Sequence, residues 1–170
     1  GQLAELQGQL ASGVQALCSA DQAFAALKAD GSITIWGVVN ESPPGNGYTQ
    51  IIPGRESFAA LRADGSVYSS LSGSPPGNDF TQVIANTESY AAIKADGTVV
   101  TWGNVATGGD SASVAENLVD VLEIAHTQHA FAALRVDGTV ITWGDANYGG
   151  DSSSVVSSLT NVTHLYAIDN

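Results

Sequence analysis

The stretch Phe131-Ala-Ala-Leu-Arg-Val-Asp-Gly-Thr-Val-Ile-Thr-Trp-Gly144 decides the fold of this chain, because copies of it recur along the sequence. Close copies span residues 24–37 and 90–103, and a weaker copy spans residues 58–71. In each copy an Asp-Gly pair separates two short apolar runs, which is a strong signal for a β-hairpin. The sequence therefore predicts four hairpins in a repeat protein.

The Asp-Gly pairs predict a two-residue loop of type I′, which needs a positive φ at both central positions. With Asp137-Gly138 as that loop, Ala132 lies opposite Trp143, so an indole packs beside a methyl group. Side chains alternate along a strand and both faces of the hairpin are apolar, so both faces need a cover. Because an isolated hairpin is marginal in water, the copies are predicted to bury one another. The equivalent pairs are Asp30-Gly31, Asp64-Gly65 and Asp96-Gly97.

Composition places the chain among turn-rich globular β proteins. The 170 residues are 44% hydrophobic and include 19 glycines. The net charge of −12, with five basic residues, argues against nucleic acid or an anionic membrane as partner. No apolar run approaches the length of a membrane span, and no signal peptide is visible. Cys18 is the one cysteine, so it forms no internal disulfide. The acidic surface, rich in Ser and Thr, is compatible with secretion or the cell surface.

The whole chain, residues 1–170, is predicted to be a single repeat domain. A short leading strand precedes each hairpin, which gives three-stranded antiparallel units at about 14–37, 49–71, 81–103 and 121–144. A last unpaired strand is predicted at 162–168. Since the chain opens on a connector and lacks methionine, we expect an excerpt of a longer repeat array. Apolar residues four apart in residues 2–10, 114–121 and 155–162 predict short helices in some connectors; the alternative is an irregular connection.

The run Ala-Leu-Arg-x-Asp-Gly-x-Val-x-x-Trp-Gly resembles the repeat of the regulator of chromosome condensation family, in a divergent form of bacterial type. Gly108 and Gly149, six residues beyond Trp102 and Trp143, match the glycine that follows the tryptophan in that family. The resemblance implies that the units are blades of a β-propeller, and four units imply a partial or few-bladed one. It also implies protein binding on a rigid face, and it transfers no functional residue to this chain.

Most of the polar motifs have a structural interpretation. His126, His129 and His164 lack the fourth ligand that a structural zinc site needs, so we expect surface or turn histidines. Asp110 and Asp151 in the Gly-Gly-Asp-Ser segments offer a weak alternative, a calcium site. No nucleophile-elbow sequence supports a hydrolase. The sequence thus predicts no enzyme activity, no cofactor and no metal.

Two groups of residues are candidates for binding. A basic residue stands just before each Asp-Gly pair, and in a stacked array these four residues would form one basic rim: Lys28, Arg62, Lys94 and Arg135. The alternative is that their stems cover the hairpin ends while their charges offset the neighbouring aspartates. Aromatic residues in the connectors are expected to be exposed and available to a ligand: Tyr48, Phe80 and Tyr148.

The favoured function is a non-catalytic protein–protein interaction module, a scaffold whose loops and rims bind a protein partner. The alternative is a glycan-binding or adhesion module of a secreted surface protein, which the connector aromatics would serve. An enzyme and a pure spacer are the remaining hypotheses. A homodimer that pairs terminal strands is also considered, because the last strand lacks a partner.

Overall fold

The protein consists of four small β-sheets in tandem. The computed structural model describes Gly8 and residues 13–38, 41–71 and 74–167. Each sheet has three strands in sequence order, with antiparallel neighbours. The strands are β1 (Val14–Ala20), β2 (Ala23–Lys28) and β3 (Ile33–Gly37) in sheet 1; β4 (Tyr48–Pro53), β5 (Phe58–Arg62) and β6 (Val67–Ser69) in sheet 2; β7 (Phe80–Ala85), β8 (Ser89–Lys94) and β9 (Val99–Gly103) in sheet 3; and β10 (Val121–His126), β11 (Ala130–Arg135) and β12 (Val140–Gly144) in sheet 4.

The predicted fold class, tandem three-stranded antiparallel repeats with short helices in connectors, is confirmed. The connectors after sheets 3 and 4 contain four 3₁₀ turns, at Val105–Thr107, Ala112–Asn117, Ala146–Tyr148 and Val156–Ser158. Residues 162–167 lie outside any strand, so the strand expected at 162–168 is not formed in the described part of the chain. The helix predicted in residues 2–10 falls outside the described residues, except for Gly8. No helix in the described ranges is long and apolar enough to cross a membrane.

The Asp-Gly turn differs from the predicted type I′ loop. Leu134 pairs with Val140, and Arg135 N–H donates to the carbonyl of Thr139 (2.9 Å). Gly138 has a φ of +78°, whereas Asp137 is not among the described non-glycine residues with positive φ. The turn is therefore a three-residue loop in which only the glycine is left-handed. The prediction was wrong because the aspartate side chain stabilises a right-handed turn of its own.

That stabilisation is a pair of hydrogen bonds to one carboxylate oxygen. Oδ1 of Asp137 accepts from the backbone N–H of Thr139 (3.0 Å) and from its hydroxyl (2.5 Å). The same two bonds join Asp30 to Ser32, Asp64 to Ser66, and Asp96 to Thr98. These bonds to the charged form lower the pKa of the carboxyl groups. The aspartates are thus accounted for by the turns.

We expect Thr139→Ala to raise the pKa of Asp137 towards its ordinary value, because the hydroxyl bond is the largest cause of its depression. A depressed carboxyl pKa stabilises the fold above the pKa of the unfolded chain, and this stabilisation is lost as pH falls through the folded pKa. Carboxyl carbon chemical shifts followed by NMR titration measure the change. Thr142→Ala is the control, since Thr142 bonds instead to Gly150 and Ser152. An unmoved Asp137 pKa in Thr139→Ala would refute the assignment.

The longer turn shifts the hairpin register, so each tryptophan faces an aromatic ring. Phe131 lies opposite Trp143, and their ring centroids are 5.3 Å apart at 23°. The equivalent pairs are Phe24–Trp36 at 5.6 Å and Tyr90–Trp102 at 5.3 Å. The predicted pairing of indole with alanine is wrong by one position. The stacked rings, here called the aromatic pair, define the aromatic face of each of these sheets.

The sheets pack face to face, always in the same orientation. The opposite, aliphatic face of sheet 3 (Ala91, Ile93) packs on the aromatic face of sheet 4 (Phe131, Ala133, Trp143). In the same way Ala59 and Leu61 of sheet 2 pack on the aromatic face of sheet 3, and Ala25 and Leu27 of sheet 1 pack on Phe58 and Ala60 of sheet 2. No cluster of described core residues joins sheet 1 to sheet 4. The sheets thus form an arc with two end faces.

Each interior indole also bonds to the preceding repeat, either to its sheet or to the connector that follows that sheet. Trp102 Nε1–H donates to Ser69 Oγ, and Trp143 Nε1–H donates to the carbonyl of Gly108, both at 3.0 Å. A buried indole N–H needs such a partner, because leaving it unpaired costs about 1–3 kcal/mol. The bonds therefore help to fix the position of sheet 3 on sheet 2 and of sheet 4 on sheet 3.

Candidate functional site

A polar concavity lies where the corner loops of the four sheets meet. Each corner loop joins the leading strand of a sheet to its middle strand: residues 21–22, 54–57, 86–88 and 127–129. Together they border an open cavity of about 580 Å³, here called the corner-loop basin. Its lining residues are Asp21, Pro53, Arg55, Ala85, Asn86, Thr87, His126, Gln128 and His129.

A row of backbone hydrogen bonds ties the corner loops together. Asp21 N–H donates to the carbonyl of Arg55 (2.8 Å), and Arg55 N–H donates to that of Thr87 (2.9 Å). Thr87 continues the row to the carbonyl of Gln128, through its N–H (3.3 Å) and its hydroxyl (2.7 Å). Each bond crosses from one sheet to the next. The basin is therefore held by all four sheets, and its side chains stand on a rigid support.

One ion pair lies at the edge of the basin. Arg55 Nε is 3.0 Å from Asp21 Oδ2, and both side chains are about half exposed (54% and 55%). The hydrogen bond that Arg55 donates to the Asp21 carboxylate raises the pKa of the guanidinium. An exposed pair of this kind contributes little to stability, because water and salt screen it. It can therefore open to a partner at little cost to the fold.

The buried side of the basin is structural. Asn86 Oδ1 accepts from Ser89 N–H (2.8 Å), and its Nδ2–H donates to the carbonyl of Thr107 (2.6 Å). The hydroxyls of Ser89 and Thr107 bond to each other. At the other side the His129 ring lies 4.3 Å from the ring of Tyr148, which is 41% exposed. The groups oriented by the fold and open to a ligand are thus Arg55, Asp21 and the His129–Tyr148 pair.

The predicted basic rim lies at the opposite end of the sheets, where the residues bind their own hairpins and connectors. Arg62 covers the Tyr48 ring at 4.5 Å and donates to the carbonyl of Pro44 (2.7 Å). Lys94 lies 5.5 Å from the Phe80 ring centroid and 3.5 Å from Asp79.

The fourth unit repeats this behaviour. Arg135 donates to the carbonyl of Val119 (3.1 Å) and lies 3.3 Å from Asp137. Lys28, Arg62, Lys94 and Arg135 are all half-buried. The geometry favours the structural alternative for Arg62, Lys94 and Arg135.

Two of the three connector aromatics are not exposed, contrary to expectation. Tyr48 and Phe80 are 4% and 3% exposed. Each is the first residue of a leading strand and packs in the core between two sheets. Tyr148 is the exposed one of the three. Tyr48 and Phe80 each come two residues after a Pro-Pro-Gly-Asn turn. The sequence pattern does not show whether such a residue still belongs to the connector or already begins the strand.

The remaining polar candidates do not converge on one site. His126 and His129 border the basin, while His164 lies 3.9 Å from Glu123. Asp110 and Asp151 each accept the backbone N–H two residues further on. Within the described residues no three His, Cys, Asp or Glu side chains are grouped to hold a metal ion.

Sequence reasoning missed the basin, although a signal for it was present. Each segment between a leading strand and its hairpin is polar, as in Asn86-Thr87-Glu88 and Thr127-Gln128-His129. Such loops fall at one end of every sheet, so a stacked array must bring them together. Aligning the repeats on these segments would have predicted a shared polar surface.

Four three-stranded sheets packed face to face in one sense define a propeller-repeat protein, and solved structures confirm that fold. The chain is similar to the ectodomain of the Physcomitrella patens receptor kinase CR4 (20% identity, TM-score 0.59, 76% of this chain and 40% of that one). It is also similar to Prp20p of Saccharomyces cerevisiae (16%, 0.56, 77% and 43%) and to the CRINKLY WD40 ectodomain of Arabidopsis thaliana ACR4 (16%, 0.52, 75% and 50%).

The chain thus spans half or less of each of these structures. Prp20p is described with its binding to Gsp1p and histones, and as yeast RCC1 bound to Kap60. No family model and no curated protein sequence matches the chain.

Proposed function

We propose that this chain is a non-catalytic protein-interaction module, related to the regulator of chromosome condensation repeats, that binds a protein partner at the corner-loop basin. The observation that carries the proposal is the row of hydrogen bonds from Asp21 through Arg55 and Thr87 to Gln128. It presents polar side chains from four sheets on a surface that does not have to be ordered on binding. Preorganisation of this kind reduces the entropic cost of association.

Arg55 is the residue expected to contribute most to binding. Three of the other basic residues, Arg62, Lys94 and Arg135, are engaged at the hairpin ends, whereas Arg55 stands at the basin with one exposed partner. Arginine is enriched among the residues that dominate protein interfaces, because its planar head makes several directed bonds. A carboxylate of the partner would take the place of Asp21 on the guanidinium.

Protein binding by Prp20p supports the same class of function for this chain. The glycan-binding alternative now depends on Tyr148, the exposed member of the three connector aromatics. Its ring lies against His129 at the basin edge, where it could stack on a sugar.

Quantitative capture from a lysate of the source organism tests the proposal. We expect Arg55→Ala to reduce recovery of the proteins captured by the wild-type chain at least tenfold, as for a dominant interface arginine. Lys28→Ala is the matched control, because it removes one positive charge at the opposite end of sheet 1. Equal recovery by the wild-type chain and Arg55→Ala would overturn the proposal. A glycan array that binds the wild-type chain and not Tyr148→Ala would favour the alternative.

A further inference from the structure

The aromatic face of sheet 1 is partly uncovered, unlike those of sheets 3 and 4. Phe24 is 48% exposed, whereas Tyr90 and Phe131 at the same repeat position are 0% and 1% exposed. Leu17, which faces the same side one strand away, is 62% exposed, and Trp36 is half-buried. Phe24 and Trp36 still stack at 23°, the angle found for Phe131 and Trp143. The exposed aromatic pair of sheet 1 therefore has the same stacked geometry as the pair that is buried between sheets 3 and 4.

The interface between sheets 3 and 4 shows what receives such a pair. Gly108 lies against it so closely that an added Cβ would be 2.8 Å from the Phe131 ring and 3.3 Å from Trp143. The carbonyl of Gly108 also accepts the indole N–H of Trp143. Gly108 ends a 3₁₀ turn in the left-handed conformation (φ +97°), which points its carbonyl and its bare Cα at the rings. Glycine is required here for conformation and for space.

Gly149 occupies the same position in the next connector, but no aromatic pair among the described residues packs against it. It ends the 3₁₀ turn Ala146–Tyr148 with φ +93°, as Gly108 ends Val105–Thr107. A Cβ added to Gly149 would meet no described atom within 4 Å. Beside it is a cavity of about 210 Å³ whose walls are mostly methyl groups and rings. We call this cavity the Gly149 socket; it is lined by Ala125, Ala130, Ala132, Tyr148, Leu165 and Tyr166.

We propose that two copies of this chain associate head to tail, with the Phe24–Trp36 pair of one copy in the Gly149 socket of the other. The Trp36 indole N–H then donates to the carbonyl of Gly149, as Trp143 donates to Gly108. The occupant is a second copy because one chain carries both halves of the contact, and the contact continues the sheet-to-sheet packing already present inside it. Such an interface is heterologous, since different patches of the two copies meet.

This contact goes beyond the proposed function, although the Gly149 socket shares His126 with the corner-loop basin and includes Tyr148 at its edge. Two copies of net charge −12 repel each other, and salt screens charges separated by more than about 10 Å at 0.1 M. The burial of rings and methyl groups supplies the attraction. Association is therefore expected to strengthen as sodium chloride is raised from about 0.02 to 0.2 M.

Sedimentation velocity over a range of concentrations tests the proposal with the full chain. The wild-type mass should rise above the 17.3 kDa of one chain as concentration increases. Trp36→Ala removes the inserted ring and Ala132→Arg fills the socket, so each alone should remain monomeric. Val136→Ser is the control, because it removes a 65%-exposed apolar side chain at a hairpin turn. If circular dichroism shows that Trp36→Ala is misfolded, Leu17→Lys on the same face of sheet 1 replaces it. If Ala132→Arg is misfolded, Ala125→Arg in the Gly149 socket replaces it.

Mixing the two variants distinguishes head-to-tail association from a symmetric contact. Trp36→Ala keeps an intact socket and Ala132→Arg keeps an intact aromatic pair. Their mixture should form a one-to-one complex of twice the single-chain mass, which neither variant forms alone. The proposal is overturned by a wild-type chain that stays monomeric at every concentration, by either variant assembling alone, or by a mixture that stays monomeric.

Discussion

Replacing Phe131 by alanine should lower the free energy of unfolding by about 3–5 kcal/mol. The ring is 1% exposed, stacks on Trp143 and lies against Gly108 of the preceding connector. Its removal leaves a cavity between sheets 3 and 4 that backbone pairing on either side prevents from collapsing. Urea denaturation followed by tryptophan fluorescence measures the change.

The repeat supplies a matched control for this substitution. Phe24→Ala makes the same chemical change at the same position of sheet 1, where the ring is 48% exposed and stacks on Trp36. It should cost about 1 kcal/mol or less, measured at a dilution where copies do not associate, because much of the ring is already in water. Equal losses in the two variants would show that the packing between sheets 3 and 4 is not what stabilises the fold.

Replacing Tyr90 by phenylalanine should remove a steep loss of stability at alkaline pH. Burial raises the pKa of Tyr90 from about 10 to about 12, while the hydrogen bond with Ser57 opposes the rise. Between these values the unfolded chain loses the phenol proton and the folded chain keeps it. The stabilisation is therefore complete below pH 10 and is lost as pH rises to 12. Two pKa units correspond to about 3 kcal/mol.

The Tyr90→Phe variant should be less stable than the wild type at pH 8, by about 1 kcal/mol for the lost hydrogen bond. By pH 12 it should be the more stable of the two, so the curves of unfolding free energy against pH cross. Ser57→Ala is the control: it breaks the same bond but keeps the buried phenol, so the alkaline loss should persist. If the unfolding free energy of Tyr90→Phe falls between pH 10 and pH 12 as much as that of the wild type, Tyr90 is not the cause of the alkaline loss of stability.

Strand content and sheet organisation were predictable because their causes are local. An Asp-Gly pair between apolar runs sets a hairpin wherever it occurs, and alternation of side chains makes both faces apolar. The register was missed by one residue, since it depends on whether the aspartate backbone or only Gly138 takes a positive φ. Two hydrogen bonds that Thr139 donates to the Asp137 carboxylate decide that, and the Asp-Gly signal alone is compatible with both turns.

The candidate site was not predictable from any single segment. Asp21 and Gln128 border one basin although more than a hundred positions separate them, because four sheets stack with their corner loops at the same end. Tyr48 was expected at the surface and is buried, since stacking covers the start of its strand.

The sequence by itself determined the repeating unit, through turn chemistry and alternation within a few residues. Tertiary structure decided which equivalent positions differ in role. The rings of the next sheet pack against Gly108, whereas no described atom lies within 4 Å of a Cβ added to Gly149. The physical reason is that exposure depends on what packs against a residue, and equal local sequences have unequal neighbours at the middle and at the ends of a stack.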